Sequence, residues 1–399
     1  MKSQTKSADP IQFGLERCLV EPPAAMQHGT FGLLMNQASV DSDFHFSSDV
    51  LAERFPAQLV ALFSPQHGLW GEQQANMIES PHSVYQPLGL PIYSLYSETR
   101  RPLSKWLDNL DCLVVDLQDV GTRVYTFAWT VSLCLEACAE AGIPLVVLDR
   151  PNPLGGVFEG PQLESGWETF VGRVTIPMRH GLSLGELTRI VNRELEIGAD
   201  LDVVSMRDWD RRSMWPATGR AWLPPSPNLP RVESTLVYPG QVLLEGTNLS
   251  EGRGTTRPFE LVGAPFIDPF RLADAIAKMG LPAVRCVPTR FRPTFDKWQD
   301  QECGGVSLHV LDTLAFQPVR TTVALLACIG RLWPDQLAWL PPPYEYEREK
   351  MPIDILFGSD RLRLQIESGS LQDANGVAAL VDFDGDAWRN RIADCLLYD

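Results

Sequence analysis

The sequence lacks long hydrophobic runs, because polar residues interrupt every apolar stretch of its 399 residues well before a membrane-spanning length. A helix needs roughly 18 consecutive apolar residues to cross a bilayer, so no membrane partner is expected. The first twenty residues also lack the apolar core and small-residue cleavage site of a secretory signal peptide. We therefore expect a protein that acts in the cytoplasm.

Basic residues are scarce, with 34 Lys and Arg against 50 Asp and Glu and a formal net charge of -16. This balance disfavours binding to a phosphate backbone, so nucleic acid is not an expected partner. The eight cysteines are scattered and the six histidines form no HxxxH pair. We expect reduced thiols and no metal site. No GxGxxG follows the first strand and no GxxxxGK[ST] occurs, so no nucleotide cofactor is expected.

What the sequence does contain is a βαβ unit in residues 111–156. Residues 112–116 (CLVVD) and 145–149 (LVVLD) are short apolar runs typical of strands buried on both faces of a parallel sheet. The residues between them, 126–141, are apolar throughout and predict a packed helix that Gly142 ends. The crossover between the two strands is expected to be right-handed.

The fold class follows from the repetition of this pattern. Residues 31–36, 59–64 and 92–96 predict three further strands, and 201–206 another, with helices between them. Such alternation predicts an α/β, Rossmann-like, doubly wound, mostly parallel sheet. After residue 266 the pattern becomes that of a smaller α+β domain. We therefore expect two domains, 1–238 and 239–399, because one hydrophobic core rarely supports this length.

The carboxyl ends of the predicted strands hold the unusual polar residues. Ligands bind beyond these ends in open parallel sheets, so we expect the functional site there. The loop SPQHGLWGE (64–72) combines Pro, Gly, His and Trp in a shaped turn. A structural alternative stays open, in which Asp149 and Arg150 form a buried pair. Ser183 and Glu186 match a helix capping box, which gives Glu186 a structural role.

A second polar cluster lies at residues 238–266, where five glycines surround arginines and glutamates. Gly-rich loops let backbone N–H groups approach an anion, and Arg253 or Arg257 can add a fork for a carboxylate or phosphate. The alternative is an inter-domain turn held by salt bridges. The tract 340–350 (LPPPYEYEREK) is interpreted as a stiff, acidic surface connection without a catalytic residue.

Several of these motifs, in this order, resemble the NamZ-type exo-β-N-acetylmuramidases. The resemblance extends from about residue 32 to 358 and rests on these segments: GLLMNQASVD, SPQHGLWGE, VVDLQDVGTRVYTF, VVLDRPNPLGG, PPSPNLP, YPGQVLLEGTNLSEGRGTTRPFE and PIDILFG. It implies a Rossmann-like N-terminal domain, a C-terminal α/β domain and a cleft between them. It also implies hydrolysis of a terminal N-acetylmuramic acid from peptidoglycan fragments.

Two departures from the family stand out. Many members carry Glu where this chain has Gln66, and an amide cannot act as a general acid. Family members are also often exported, whereas this chain lacks a recognisable signal peptide. The first departure leaves an alternative open, a sugar-binding protein that has lost hydrolysis. A nucleotide-dependent enzyme is a further alternative, which the missing phosphate fingerprints disfavour.

For catalysis we rank Glu72 first, because it shares the loop of Gln66 and because Leu69 and Trp70 are expected to desolvate it. Asp119 and Asp116 follow, and Glu245 or Glu251 of the second cluster is a further candidate. Arg123, Arg150 or Arg253 is expected to bind the lactyl carboxylate of muramic acid. The predicted substrate-binding residues are the following: Asn36, Gln66, His67, Gln118, Arg123, Tyr125, Asp149, Arg150, Asn152, Asn228, Glu245, Asn248, Glu251 and Arg253. The expected partner is a small sugar or muropeptide, and the oligomeric state is left open.

Overall fold

The computed structural model describes residues 11–75 and 77–399. Half of the N-terminal segment that was searched for a signal peptide therefore lies outside the described residues. Within the described residues, every helix is too short or too polar to cross a membrane.

The central feature is a seven-stranded sheet with the order β3-β4-β2-β1-β5-β6-β9. All neighbours are parallel except β3, which pairs antiparallel with β4 at one edge. Its strands are β1 (Phe31–Met35), β2 (Leu59–Ser64), β3 (Ser83–Tyr85), β4 (Leu90–Ser94), β5 (Cys112–Asp116), β6 (Leu145–Leu148) and β9 (Leu201–Val204). Strands β7 (Glu159–Gln162) and β8 (Pro177–Arg179) form a separate pair. The predicted doubly wound sheet is confirmed.

Helices cover both faces of this sheet. They are α1 (Gly14–Val20), α2 (Ala24–Gln27), α3 (Ser47–Arg54), α4 (Ser104–Leu107), α5 (Thr126–Ala141) and α6 (Leu184–Glu194). Side chains of successive strand residues point to opposite faces of the sheet. Leu33 therefore belongs to the hydrophobic cluster under α1 to α3, and Leu34 belongs to the cluster under α5 and α6. Helix α5 has its predicted bounds and ends at Gly142, whose φ of 70° suits glycine.

The C-terminal part is a smaller α+β unit, as predicted. Its antiparallel sheet has the order β10-β12-β11, formed by β10 (Leu261–Ala264), β11 (Val284–Phe291) and β12 (Cys303–Val310). Its helices are α7 (Val232–Gln241), α8 (Pro269–Ala277), α9 (Pro318–Leu332), α10 (Pro352–Phe357), α11 (Arg361–Glu367), α12 (Ala374–Val381) and α13 (Gly385–Ile392). Helices α7, α10 and α12 were not anticipated. Leu103 occupies the N-cap position of α4 and forms no side-chain hydrogen bond there.

The two parts share one hydrophobic core. The cluster on the α5 face of the large sheet continues into the buried face of α9, from Val319 to Ile329. The C-terminal end also returns to the large sheet, where the Tyr398 hydroxyl donates to Asp149 at 2.6 Å. The boundary between residues 238 and 239 falls inside α7 and stays a prediction.

The contact between α7 and α9 depends on Gly240. A Cβ atom there would lie 2.0 Å from the carbonyl oxygen of Pro318. We expect Gly240→Ala to destabilise the protein by about 1–3 kcal/mol or more, because the backbone of α9 has to move. Chemical denaturation measures this. Gly376→Ala in α12 is the matched control, since its Cβ would meet atoms only at ordinary distances of 3.6 Å and above. Equal unfolding free energies for the two variants would contradict the prediction.

Candidate active site

A small cavity of about 30 Å³ lies where the loop after β2, the start of α5 and the C-terminal part meet. Its lining brings together side chains far apart in the sequence. The polar ones include Gln66, His67, Tyr125, Asn228, Tyr238, Glu245, Arg253, Tyr344 and Glu345. Six of the seventeen predicted site residues are in this set, and they come from both predicted clusters. The structure brings these six side chains together, and their roles in the site stay predictions.

Glu345 is the most constrained carboxyl group in the cavity. It is only 4% exposed. Its Oε1 accepts from Gln66 Nε2 at 3.2 Å and its Oε2 accepts from the Tyr96 hydroxyl at 2.8 Å. The amide of Gln66 is oriented in turn, because its Oε1 accepts from the Thr126 hydroxyl at 2.7 Å. The family position that holds Gln66 is therefore in direct contact with a glutamate from the other end of the chain.

The environment of Glu345 favours its protonated form. Burial raises the pKa of this carboxyl to about 7, although the hydrogen bonds from Tyr96 and Gln66 act in the opposite direction. The negative charge of Glu245 adds to the increase, and Arg100 opposes it. Glu345 can thus hold or release a proton near neutral pH.

Glu245 belongs to an ionic network on the other side of the cavity. Arg253 donates to Glu245 at 2.6 Å and to Glu251 at 2.7 Å, and the Tyr344 hydroxyl donates to Glu245 at 2.7 Å. Lys297 lies 2.8 Å from Glu251. Burial alone would raise the pKa of Glu251, but Lys297 and Arg253 bring it below its ordinary value. The two glutamates nearest the centre of the cavity therefore differ, since Glu245 is paired with a cation and Glu345 with neutral donors.

Three residues around the cavity have left-handed backbone conformations, which residues other than glycine rarely adopt. They are His67, Glu345 and Tyr346, with φ of 75°, 44° and 71°. Such strain persists where the surrounding structure imposes it, and it concentrates at functional sites. The His67 ring is also fixed, by Gln73 O at 2.6 Å and Ser226 Oγ at 3.2 Å. Burial lowers its pKa to about 4, so His67 is neutral at pH 7.

Glu72, ranked first as the acid, lies outside the cavity and is exposed. Its carboxylate accepts from the backbone N–H of Trp70 at 3.1 Å and closes the loop. Trp70 is 51% exposed, so the expected desolvation is absent. This placement speaks against Glu72 as the acid, and the assignment stays a prediction.

Asp116 and Arg150 form the buried ion pair of this region. Arg150 Nε and Nη2 donate to the two carboxylate oxygens at 2.5 and 2.8 Å, and neither residue is more than 3% exposed. The alternative in which Arg150 and Asp149 form the buried pair is wrong, because the guanidinium pairs with Asp116 and Arg150 donates to Asp149 through its backbone N–H at 3.1 Å. Asp149 also accepts from Ser183, Gly185 and Tyr398, and burial raises its pKa to about 6. These three residues hold the loops at the sheet edge and do not line the cavity.

Asp119 does not line the cavity, but its charge acts on two tyrosines that do, Tyr125 and Tyr238. One oxygen accepts from Gly121 N at 2.6 Å and lies 3.2 Å from His180 Nε2, while the other is buried without a hydrogen-bond partner among the described residues. Its charge helps to raise the pKa of Tyr125, a cavity residue, after burial and Tyr238. Asp119 is therefore well placed to act on a cavity residue, and its catalytic role stays a prediction.

The remaining predicted residues have structural partners. Arg123 donates to four backbone carbonyls, at 2.8 to 3.1 Å, which speaks against it as the ligand of a substrate carboxylate. The side-chain amides of four others donate to backbone carbonyls that stabilise loops: Asn36 to Pro225, Gln118 to Asp119 and Pro151, Asn152 to Leu182 and Asn248 to Gln336. Their assignment to substrate binding stays a prediction.

The sequence analysis missed two features of the site. The interpretation of 340–350 as a surface connection is wrong for Tyr344 and Glu345, which are 7% and 4% exposed. The sequence feature that could have revealed them is the alternation of Tyr and Glu after three prolines. This pattern places aromatic rings and carboxyl groups on a stiff segment. Arg100 was also missed. It packs over the rings of Tyr96 and Tyr346, with its Cζ 4.1 and 3.8 Å from their centroids.

A metal ion finds little support in the described residues. Only Asp41, Asp43 and His45 bring three ligand atoms within 4.8 Å of one another, and two of them are exposed. Asp41 Oδ1 accepts from the backbone N–H groups of Asp43 and His45, both at 2.9 Å. These bonds are those of a turn, so the cluster has a structural explanation.

Comparison with known proteins agrees with this architecture. Residues 31–233 match the family model described as exo-beta-N-acetylmuramidase NamZ, N-terminal, and residues 236–398 match its C-terminal counterpart. The peptidoglycan beta-N-acetylmuramidase NamZ of Bacillus subtilis (strain 168) is 41% identical over 370 residues, which are 92% of this chain and 87% of that protein.

Two solved structures from Bacteroides fragilis NCTC 9343, both of DUF1343 family proteins, share the fold. One has a TM-score of 0.87 at 29% identity and covers 98% of this chain and 100% of its own. The other has a TM-score of 0.74 at 27% identity, and the match covers 97% of this chain and 99% of that protein's chain. The resemblance noted in the sequence is thereby confirmed, and the chain belongs to the NamZ family of exo-β-N-acetylmuramidases.

Proposed function

We propose that this protein is an exo-acting β-N-acetylmuramidase that removes the terminal N-acetylmuramic acid from peptidoglycan-derived fragments. The main support is the cavity between the two parts of the protein. Glu345 and Glu245 both line it, and their hydrogen-bond partners differ. Hydrolysis of a glycosidic bond generally uses two carboxyl groups, one that donates a proton and one that stays ionised. Family membership supports the same reaction.

The substrate requires the cavity to open. Its volume of about 30 Å³ is far below the roughly 300–1,000 Å³ of ordinary small-molecule pockets. Tyr344 and Glu347 form a short β-bridge that carries Glu345 and Tyr346 over the cavity. This segment lies at the surface on one side, since Tyr346 is 50% exposed. Movement of residues 344–347 is the simplest way to admit a sugar ring.

The lactyl carboxylate of muramic acid needs a cation with free donors. Both terminal nitrogens of Arg253 already donate to glutamates. Arg100 differs, because its Nε and Nη2 are buried without a hydrogen-bond partner in the described chain, and its Nη2 lies 3.8 Å from Glu79. Tyr346 covers this guanidinium. Arg100 becomes accessible when residues 344–347 move, so it is the better ligand for the carboxylate.

Non-hydrolytic sugar binding is the second candidate function, and Gln66 is the observation that favours it. An amide at this position cannot supply a proton to a leaving group. The neighbouring Glu345 can, however, and it contacts the same amide. Hydrolysis is therefore the better-supported function.

The test compares a chromogenic β-N-acetylmuramide with the matching β-N-acetylglucosaminide, which lacks only the lactyl group. We expect chromophore release from the muramide alone, because the cavity selects the carboxylate. Binding of the muramide without turnover, measured by calorimetry, would support the sugar-binding alternative. Equal turnover of the two substrates would contradict the proposal. So would a protein that neither hydrolyses nor binds the muramide.

The muropeptide as the physiological partner and the cytoplasm as the location remain predictions. A recycled fragment imported into the cell would meet both conditions. Cell fractionation followed by detection of the protein in the cytosolic or the exported fraction tests the location.

A further inference from the structure

We propose that Glu345 is the general acid of this enzyme and that Gln66 is the residue that positions it. This inference rests on the proposed function and assigns the proton donor from the contacts of Glu345, since the amide of Gln66 beside it cannot provide a proton.

Glu345 lines the cavity, and its hydrogen-bond partners differ from those of Asp116 and Glu245. Asp116 is tied to Arg150 through both oxygens, and Glu245 accepts from Arg253 and Tyr344. Each of these two carboxylates therefore accepts hydrogen bonds from an arginine side chain. The hydrogen-bond partners of Glu345 are instead an amide and a phenol.

Gln66 explains how Glu345 can hold the catalytic proton without a second carboxyl group beside it. With Glu at position 66, two carboxyl groups would lie about as close as the 3.2 Å that separates Gln66 Nε2 from Glu345 Oε1. Two such groups cannot both ionise, and they share one proton. The amide of Gln66 carries no acidic proton, so it does not compete with Glu345 for one. It also donates a hydrogen bond to Glu345 Oε1, which orients the carboxyl group. Thr126 fixes the amide so that its N–H group faces Glu345.

The chemical step follows from this assignment. Glu345 transfers its proton to the bridging oxygen as the bond from that oxygen to C1 of the muramic acid breaks, and the electron pair of the bond stays on the oxygen. A water oxygen then forms the new bond to C1 and loses one proton to solvent. Solvent returns one proton to Glu345. The products are free N-acetylmuramic acid and the shortened fragment with a new hydroxyl group.

The pH dependence follows from the groups that face Glu345. These are Tyr96 and Arg100 from the segment after β4, Glu245 and Tyr238 from the C-terminal part, and Tyr344 from its own segment. Since the acid must carry its proton, kcat falls as the pH rises through the pKa of Glu345, at about 7. The activity is retained on the acidic side of that value.

The test is Glu345→Gln, assayed with two muramides that differ in leaving group. With a sugar as leaving group we expect kcat to fall about 10³-fold, because a poor leaving group needs the proton. With 2,4-dinitrophenol, which leaves without protonation, we expect only a small loss. A purely structural role for Glu345 would reduce both rates equally. Glu349→Gln is the matched control, because it removes an exposed glutamate of the same segment, and it should behave as the parent.

Three outcomes would overturn the proposal while the parent enzyme stays active. One is a Glu345→Gln variant that hydrolyses the sugar-linked substrate at near-parental rate. Another is an equal loss with both leaving groups. The third is a leaving-group-dependent loss in Glu72→Gln instead, which would move the acid to Glu72. An inactive parent enzyme would contradict the proposed function itself, so the two failures are distinct.

Gln66→Glu gives a second, independent measurement, which decides the matter if Glu345→Gln does not fold. It retains Glu345 and adds a carboxyl group beside it. We expect the alkaline limb of the kcat profile to move to higher pH, because like charges disfavour ionisation. An unchanged alkaline limb would show that Glu345 does not set it and would overturn the assignment.

Discussion

Asp116→Asn is expected to lower the free energy of unfolding by about 3–5 kcal/mol, because it leaves the guanidinium of Arg150 buried without its counter-charge. Asp116 is fully buried, and Arg150 is 3% exposed. The pair joins the ends of β5 and β6, and Arg150 also donates to the carbonyl of Val40 at 2.9 Å. Loss of the pair should therefore loosen three loops at the sheet edge. Urea denaturation measures the effect.

The control for this prediction is Asp108→Asn, which removes an exposed carboxylate and should change stability by less than about 0.5 kcal/mol. A double variant, Asp116→Leu with Arg150→Met, tests the mechanism. Replacement of a buried ion pair by apolar residues is often close to neutral, so the double variant should be more stable than Asp116→Asn. An Asp116→Asn protein as stable as the parent would contradict the structural role and return Asp116 to the catalytic candidates.

Arg100→Met is expected to lower kcat/KM for the muramide about 10²-fold, while any residual activity on the glucosaminide is unchanged. Two hydrogen bonds to a charged group, each worth about 1.5–3 kcal/mol, support an effect of at least this size. Arg100 also lowers the pKa of Glu345. The rates should therefore be compared well below pH 7, where Glu345 is protonated with or without Arg100.

Two controls accompany this measurement. Arg101→Met removes the adjacent guanidinium, which pairs with Glu140 at the surface, and should leave kcat/KM near the parental value. Arg253→Lys tests the competing assignment from the sequence. If Arg253→Lys abolishes discrimination between the two sugars and Arg100→Met does not, then the carboxylate is bound on the other side of the cavity.

Features that depend on residues close together in the sequence were predicted best. Strand β2 and helix α5 have their predicted bounds, because apolar runs and terminal glycines act within a few residues. The capping box of Ser183 and Glu186 was predicted for the same reason and is present. Helix α10 was missed because it is only six residues long, too short for its periodicity to stand out.

The roles of the charged residues were harder to predict. The motifs around Gln66 and Arg253 were predicted to contribute to the site, and both residues line the cavity. The sequence could not separate Arg150, which stabilises a loop edge, from Arg100, which lies beside the cavity. Both follow strands and both have the same chemistry. Only the partner of each guanidinium distinguishes them, and that partner lies elsewhere in the chain.

By itself, the sequence determined the α/β architecture, the family and the sheet edge where the polar loops collect, because hydrophobic period, turn residues and motifs are local properties. The tertiary structure decided which carboxyl group can hold a proton. Glu345 lies 279 residues from Gln66 along the chain, and its pKa rises because folding removes water from it and brings the negative charge of Glu245 near it. Burial and hydrogen-bond partners arise only when distant segments meet, so a glutamate in an acidic, proline-rich tract gives no sign of them.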